Sequence, residues 1–143
     1  MRRSVIAGVG SALPKRQVTN DELAQSVDTT DEWIVERTGI RSRYIAAEGE
    51  TTGSLAIEAA QRALEHAGLQ ATDIDLIVLA TATPDQTFPS TATKVQAALG
   101  IDDCIAFDVH AVCTGFLYAL TVADSMLRAA PSTMPALPQR TST

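Results

Sequence analysis

The sequence predicts an α/β domain built around a mainly parallel sheet. Short apolar runs typical of buried strands alternate along the chain with longer segments of helical periodicity. The segments between these runs are long enough to hold a helix, as the crossover between two parallel strands requires. With 143 residues, of which 45% are apolar, the chain is long enough for one domain with its own core.

The amino-terminal part is predicted to begin with a strand. Residues 4–9 form an apolar run typical of a buried strand. A secretion signal is the weaker interpretation, because Gly8 and Gly10 interrupt the mildly apolar stretch that follows the two arginines, and Lys15 and Arg16 come after it. Asn20 is the predicted N-cap of a first short helix, and residues 42–46 are a predicted edge strand.

The segment "DTTDEWIVERTGI" is predicted to form a second short helix. Thr29 and Glu32 have the spacing of a capping box, in which a Ser or Thr and a Glu bond each other's backbone N–H groups. Gly39 is the predicted helix end, since glycine adopts the left-handed backbone that ends many helices.

The rest of the chain alternates helix with strand. "TTGSLAIEAAQRALEHAGL" is a predicted amphipathic helix that ends at Gly68. "DLIVLATAT" and "CIAFDV" are predicted buried strands, and Ser90 is the predicted cap of a helix between them that ends at Gly100. Residues 116–127 are almost uniformly apolar and predict a helix buried nearly all round.

The domain is predicted to end near residue 130. Residues 131–143, "PSTMPALPQRTST", break the alternation with three prolines among several Ser and Thr. This composition is typical of a non-helical tail, and proline spacing of this kind is not tolerated in a central strand. Residues 1–130 are therefore the predicted α/β domain.

Composition argues against several classes of protein. The formal net charge of −6, without a basic face, argues against nucleic acid as a partner. No stretch approaches the ~20 apolar residues of a membrane span. Two cysteines without CxxC spacing predict neither a disulfide framework nor a metal site. We therefore expect a cytoplasmic protein with no metal and no membrane partner.

"DVHAVCTGFLYAL" places Cys113 where a strand gives way to a helix. Ligands of open parallel sheets bind at the carboxyl ends of strands, and a helix start favours a thiolate and a developing oxyanion. Ala111 and Gly115 are predicted to let a substrate approach the backbone closely. The residues alone leave two interpretations of Cys113 open, a nucleophile or an inert core thiol. For Cys104, inside a predicted strand, core packing is the prediction.

"FDVHAVCTGFLYAL" resembles the nucleophile segment of the β-ketoacyl-acyl carrier protein synthase III family, condensing enzymes of the thiolase superfamily. "TTDEWIVERTGIRSRYIA", "LIVLATATPD" and "FPSTA" also resemble that family, in its order and spacing, over residues 4–128. The resemblance implies the amino-terminal half of a thiolase-like fold, in a homodimer. It implies that Cys113 takes an acyl group, usually acetyl, from acyl-coenzyme A and that malonyl-acyl carrier protein then condenses with it. Acyl-coenzyme A is a substrate here, and no cofactor is implied.

The resemblance also implies four substrate-binding residues. Thr29, Trp33 and Arg37 match the family's coenzyme A site, and their four-residue spacing suits one helix face. An indole suits adenine and a guanidinium suits phosphate, but a capping threonine, a partly buried tryptophan and a solvated arginine are the alternative. Phe88 resembles a phenylalanine that crosses the family's dimer interface beside the acyl pocket, with ordinary loop packing as the alternative.

The sequence lacks part of the family's catalytic set, and several other residues keep alternative interpretations. The family's catalytic His and Asn have no match here, so the chain is expected to be a truncated form that cannot complete condensation. His66 is expected to be solvated, and His110 is assigned to strand-end packing or a dimer contact rather than catalysis. Arg41 and Arg43 either dock the carrier protein or form a solvated loop. A non-condensing acyl-binding module and a non-functional fragment remain alternatives, and the starter acyl chain is not determined.

Overall fold

The computed structural model describes residues 3–129, which form two compact units. Of these, residues 3–11 and 52–129 form the larger unit, and residues 12–51 form the smaller one. The tail predicted over residues 131–143 lies outside the described residues.

The smaller unit contains an antiparallel strand pair and two short helices. Strand β1, Arg16–Thr19, pairs with strand β2, Ser42–Ile45. Helix α1, Asn20–Ala24, and helix α2, Asp31–Thr38, lie between them in the chain. The edge strand predicted at residues 42–46 and both short helices are confirmed.

Asn20 is a core residue of the smaller unit and not the predicted helix cap. Thr19 caps α1, because its backbone is extended and its hydroxyl accepts the Glu22 N–H. Asn20 is the first helical residue and only 1% exposed. Its side-chain nitrogen donates to Asp31 Oδ1 at 2.7 Å, and its oxygen accepts from Arg43 Nη2 at 2.5 Å. The Arg43 guanidinium is therefore engaged inside this unit.

Helix α2 starts one residue later than predicted. Thr30 is the cap, because its hydroxyl accepts the Trp33 N–H at 3.1 Å. The predicted capping box of Thr29 with Glu32 is therefore wrong, and Thr29 precedes the helix. The predicted helix end is confirmed, since Gly39 has a φ of 71°.

The larger unit holds a parallel strand pair and three longer helices. Helix α3 spans Thr52–Ala67, and strand β3, Leu76–Ala80, follows it. Helix α4, Thr91–Leu99, connects β3 to strand β4, Ile105–Val109, which pairs with β3 in parallel. Helix α5, Gly115–Ala129, follows β4. The predicted alternation and the parallel pairing are confirmed.

Helix α4 lies over the core of the larger unit. Ser90 caps it as predicted and accepts the Thr93 N–H at 3.4 Å, and the predicted end at Gly100 is confirmed by a φ of 70°. The predicted end of α3 at Gly68, with a φ of 66°, is confirmed as well. The buried apolar residues of this unit are Ala92, Val95, Ile101 and Ala119.

The first predicted strand is wrong, because residues 4–9 pair with no strand in the part of the chain that is described. One of its backbone groups bonds to helix α3 instead, since the Val9 N–H donates to His66 Nδ1 at 3.0 Å. The segment also lies tightly against α3, since a Cβ at Gly8 would be 2.6 Å from the Ala63 carbonyl oxygen. His66 is exposed, as expected, but it holds this segment in place.

Helix α5 is not buried nearly all round, as its uniform apolarity predicted. Gly115 and Ala119 are buried, but Phe116 is 72% exposed and Leu117 is 61% exposed. A helix that is apolar on every side needs neighbours on every side, but within residues 3–129 α5 packs mainly against β3 and β4. The strands β3 and β4 are likewise mostly half-buried. Neither α5 nor another helix in that range is long and apolar enough to cross a membrane.

Candidate functional site

Cys113 lies on a tight turn between β4 and α5. The chain leaves β4 at Val109, and residues 112–114 form a single 3-10 turn directly before α5. The Thr114 N–H and hydroxyl both donate to the Ala111 carbonyl oxygen, at 3.1 and 2.8 Å. The Cys113 side chain is exposed. Its predicted location, where a strand gives way to a helix, is confirmed.

The backbone immediately before Cys113 is strained. Val112 has a φ of 46°, a region that β-branched residues rarely enter. A residue held in such a region costs on the order of 1–3 kcal/mol, and it persists only where its surroundings fix it. The sequence does not indicate this strain, because no glycine marks the position.

Position 115 favours glycine because α5 begins against the end of β3. A Cβ at Gly115 would lie 3.2 Å from the Ala80 Cβ, closer than ordinary van der Waals contact. The buried Gly115 therefore has a packing role, and the close substrate approach that its position predicted stays a prediction. This contact fixes the end of the Cys113 turn.

Asp108 joins the end of β4 to the start of α4. Its Oδ2 accepts the Thr91 N–H at 2.7 Å, and its Oδ1 accepts the Ala92 N–H at 2.8 Å. Thr91 is 1% exposed and Ala92 is fully buried, so water cannot replace these bonds. Each unsatisfied donor would cost about 1–3 kcal/mol. The signal in the sequence is a single carboxylate inside an apolar strand, but only the fold shows its partners.

Asp85 anchors the loop that carries Phe88. Its Oδ1 accepts the Gly53 N–H of α3 at 2.9 Å, and its Oδ2 lies 2.6 Å from Lys94 Nζ of α4. The Asp85 side chain is only 7% exposed. Phe88 itself is 82% exposed, so the loop-packing alternative for it is wrong within this unit.

Cys104 has different surroundings from Cys113. It precedes β4 by one residue and is half-buried, so its prediction as a core strand residue is wrong. Partial burial raises the pKa of the Cys104 thiol, and the nearby carboxylates of Asp103 and Asp75 raise it further. All three effects disfavour the charged thiolate.

We expect iodoacetamide to modify Cys113 roughly tenfold faster than Cys104 at neutral pH, because only the thiolate reacts. Raising the pH should narrow the difference, since the raised pKa of Cys104 delays its ionisation. Peptide mass spectrometry of timed samples measures both rates in one protein. Equal rates in the folded protein at neutral pH would contradict the raised pKa of the Cys104 thiol and would count against Cys113 as the more reactive cysteine.

Trp33 and Arg37 form a second candidate site on α2. The Arg37 Cζ lies 4.3 Å from the centroid of the Trp33 ring, a cation–π contact, and Trp33 is 53% exposed. Their predicted position on one helix face is confirmed. Thr29 precedes the helix, so it does not belong to that helical face. Its Oγ1 is buried, with no hydrogen-bond partner among the described residues.

The remaining sequence candidates form no further cluster. His110 is exposed directly after β4, and its role stays a prediction. Arg41 is exposed in the smaller unit. Residues 3–129 contain no group of three or more His, Cys, Asp or Glu side chains suited to a metal ion.

The comparisons with known proteins agree with this fold. No family model matches the chain. It is 71% identical, over 133 residues, to the β-ketoacyl-[acyl-carrier-protein] synthase III of Rhizorhabdus wittichii, covering 93% of this chain and 42% of that protein. The crystal structure of 3-oxoacyl-[acyl-carrier-protein] synthase III from Aquifex aeolicus superposes with a TM-score of 0.83 at 49% identity, covering 89% of this chain and 41% of that one.

A third relative comes from a different pathway. The priming β-ketosynthase of the R1128 polyketide biosynthetic pathway superposes with a TM-score of 0.83 at 43% identity, over 87% of this chain and 37% of its own. The fold therefore defines an α/β segment of the thiolase-like class, the amino-terminal half of that fold. The chain belongs to the β-ketoacyl-acyl carrier protein synthase III family and spans 42% of the length of the first of these relatives.

Proposed function

We propose that this chain supplies the nucleophile of a condensing enzyme that initiates fatty acid synthesis. In this proposal, Cys113 takes an acyl group, usually acetyl, from acyl-coenzyme A, and the acyl group then condenses with malonyl-acyl carrier protein. The observation that carries the proposal is the exposed Cys113 on a strained turn between β4 and α5. It occurs within a segment that is 71% identical to a curated synthase III.

The chemistry suits a thiol in both steps. The Cys113 thiolate attacks the thioester carbonyl of acyl-coenzyme A and forms a new carbon–sulfur bond. The bond to coenzyme A breaks, and coenzyme A leaves as a thiolate that takes up a proton. Malonyl-acyl carrier protein then loses carbon dioxide, and its carbanion attacks the acyl group and releases the Cys113 thiolate. A thiolate is both a strong nucleophile and a good leaving group, so the carbon–sulfur bond to Cys113 forms readily in the first step and breaks readily in the second.

Trp33 and Arg37 are the proposed coenzyme A contacts. Trp33 is half-exposed with the Arg37 guanidinium above its ring, so a flat base and a phosphate have partners on one helix face. Thr29 is a third proposed contact, because it matches a position of the family's coenzyme A site. Phe88 is proposed to border the acyl pocket.

A cytoplasmic homodimer is the proposed assembly. The exposed Phe88 and the exposed apolar side chains of α5 support it, since monomers rarely expose a large contiguous apolar patch. Sedimentation of the purified chain tests this, and a monomer at all accessible concentrations would contradict the proposed dimer of this chain.

Intact mass spectrometry after incubation with acetyl-coenzyme A tests the proposed function. An acetyl adduct on Cys113 is the expected result, and the absence of an adduct on folded protein would contradict the proposal. Malonyl-acyl carrier protein is then added. Because the family's catalytic His and Asn have no match in this sequence, a stable adduct without product is the expected result. An acetoacetyl product would show that the chain carries out the condensation without those residues.

Replacing Trp33 by alanine is expected to weaken coenzyme A binding by ~1–3 kcal/mol, the usual effect of losing one base-stacking aromatic. Titration calorimetry measures the change. Trp33→Phe should retain most of the affinity because it keeps a flat ring. Tyr44→Ala is the matched control, since Tyr44 is another exposed aromatic residue of the smaller unit. Equal losses for Trp33→Ala and Tyr44→Ala would place the coenzyme elsewhere.

A further inference from the structure

We propose that Asp108 is a positioning residue that holds the Cys113 turn and the Phe88 loop in a fixed relation. This role rests on the proposed acyl transfer at Cys113. Asp108 itself does not need to touch the substrate, because its two carboxylate oxygens are occupied by backbone N–H groups of α4.

The two segments meet at this carboxylate. Asp108 lies in β4, five residues before Cys113, and it binds Thr91, which follows Phe88 by three residues. The cap of α4 leaves these donors to Asp108, since the Ser90 hydroxyl accepts from the Thr93 N–H. A single side chain of β4 therefore sets where the loop carrying Phe88 ends and α4 begins.

The Cys113 turn is fixed at both ends, and Asp108 lies near the end where the turn leaves β4. Beyond Asp108, the Val109 carbonyl oxygen accepts the Thr81 N–H at 3.2 Å. The far end is fixed where Gly115 packs on Ala80. A positive φ at Val112 persists only where the flanking backbone is held. Release of the end of β4 from α4 would let this turn relax and would displace the thiol.

Asp108→Asn is the test variant, because it keeps the side-chain shape but only one acceptor oxygen. Ser90→Ala is the matched control, because it removes the cap of the same helix and leaves Asp108 in place. Asp108→Ser is measured alongside as a second variant in case the asparagine protein folds poorly. Circular dichroism checks the fold of each protein. Hydrogen exchange is then measured on residues 91–95 and 110–115, and acetylation of Cys113 is followed against acetyl-coenzyme A concentration.

For Asp108→Asn we expect exchange at residues 110–115 to accelerate by about tenfold, whereas Ser90→Ala accelerates exchange only at the start of α4. The maximal acetylation rate should fall by about tenfold at an unchanged half-saturating coenzyme concentration, because the Trp33 and Arg37 face is not altered. Faster exchange confined to residues 91–95, or equal effects of Asp108→Asn and Ser90→Ala, would overturn the positioning role. If the parent chain is not acetylated, the proposed function fails, and the exchange comparison alone decides the role of Asp108.

Discussion

Cys113→Ala is expected to abolish the acetyl adduct that acetyl-coenzyme A forms on the chain. The loss in acylation rate should be on the order of 10⁴-fold or more, the scale of removing a catalytic nucleophile. Cys104 cannot replace it efficiently, because Cys104 is half-buried and its pKa is raised. Intact mass spectrometry over a time course measures the adduct.

Cys104→Ala is the matched control for this experiment. It removes the other cysteine of the chain and should leave the acetylation rate unchanged. Cys113→Ser should react far more slowly than the parent, because a hydroxyl is a weaker nucleophile than a thiolate at neutral pH. Acetylation that persists in Cys113→Ala and disappears in Cys104→Ala would identify Cys104 as the nucleophile and contradict the proposal.

Local patterns predicted most elements, the Ser90 cap and the glycine helix ends, but they missed the N-caps of α1 and α2. Thr19 and Asn20 are adjacent and both suit an N-cap, as do Thr29 and Thr30. In each pair the cap is the residue directly before the first helical residue, and which residue that is depends on how the chain arrives from the preceding segment. Residue type alone does not contain that information.

The first predicted strand failed for a different reason. Residues 4–9 have the apolar character of a buried strand, but a strand also needs a partner for its backbone. Here the Val9 N–H binds His66 of α3 instead. Apolar character predicts what a segment would bury, whereas pairing depends on which other segments are present.

The position of Cys113 in the fold was predicted, but the contacts that support its turn were not. Cys113 stands at a strand-to-helix junction that periodicity alone identifies. The strain at Val112 and the contacts of Asp108 come from chain segments far apart in sequence, which no local pattern records. The shared face of Trp33 and Arg37 was predictable, because four-residue spacing on a helix is a local property.

Lys94→Met is expected to lower the free energy of unfolding by about 3 kcal/mol, at the lower end of the range for breaking a buried ion pair. The substitution removes the Lys94 ammonium from the Asp85 carboxylate, whose side chain is only 7% exposed. The lower end applies because Lys94 is itself 41% exposed. Urea denaturation followed by circular dichroism measures the change.

Burial rather than distance should decide the size of this effect. The Arg16–Glu22 pair has the same 2.6 Å separation as Lys94–Asp85, but its side chains are 62% and 43% exposed. Arg16→Met should therefore cost no more than about 1 kcal/mol. The double variant Asp85→Asn with Lys94→Met should be more stable than Lys94→Met alone, because it also removes the negative charge at position 85. Equal costs for Lys94→Met and Arg16→Met would show that Asp85 reaches water, and that its ion pair does not anchor the Phe88 loop.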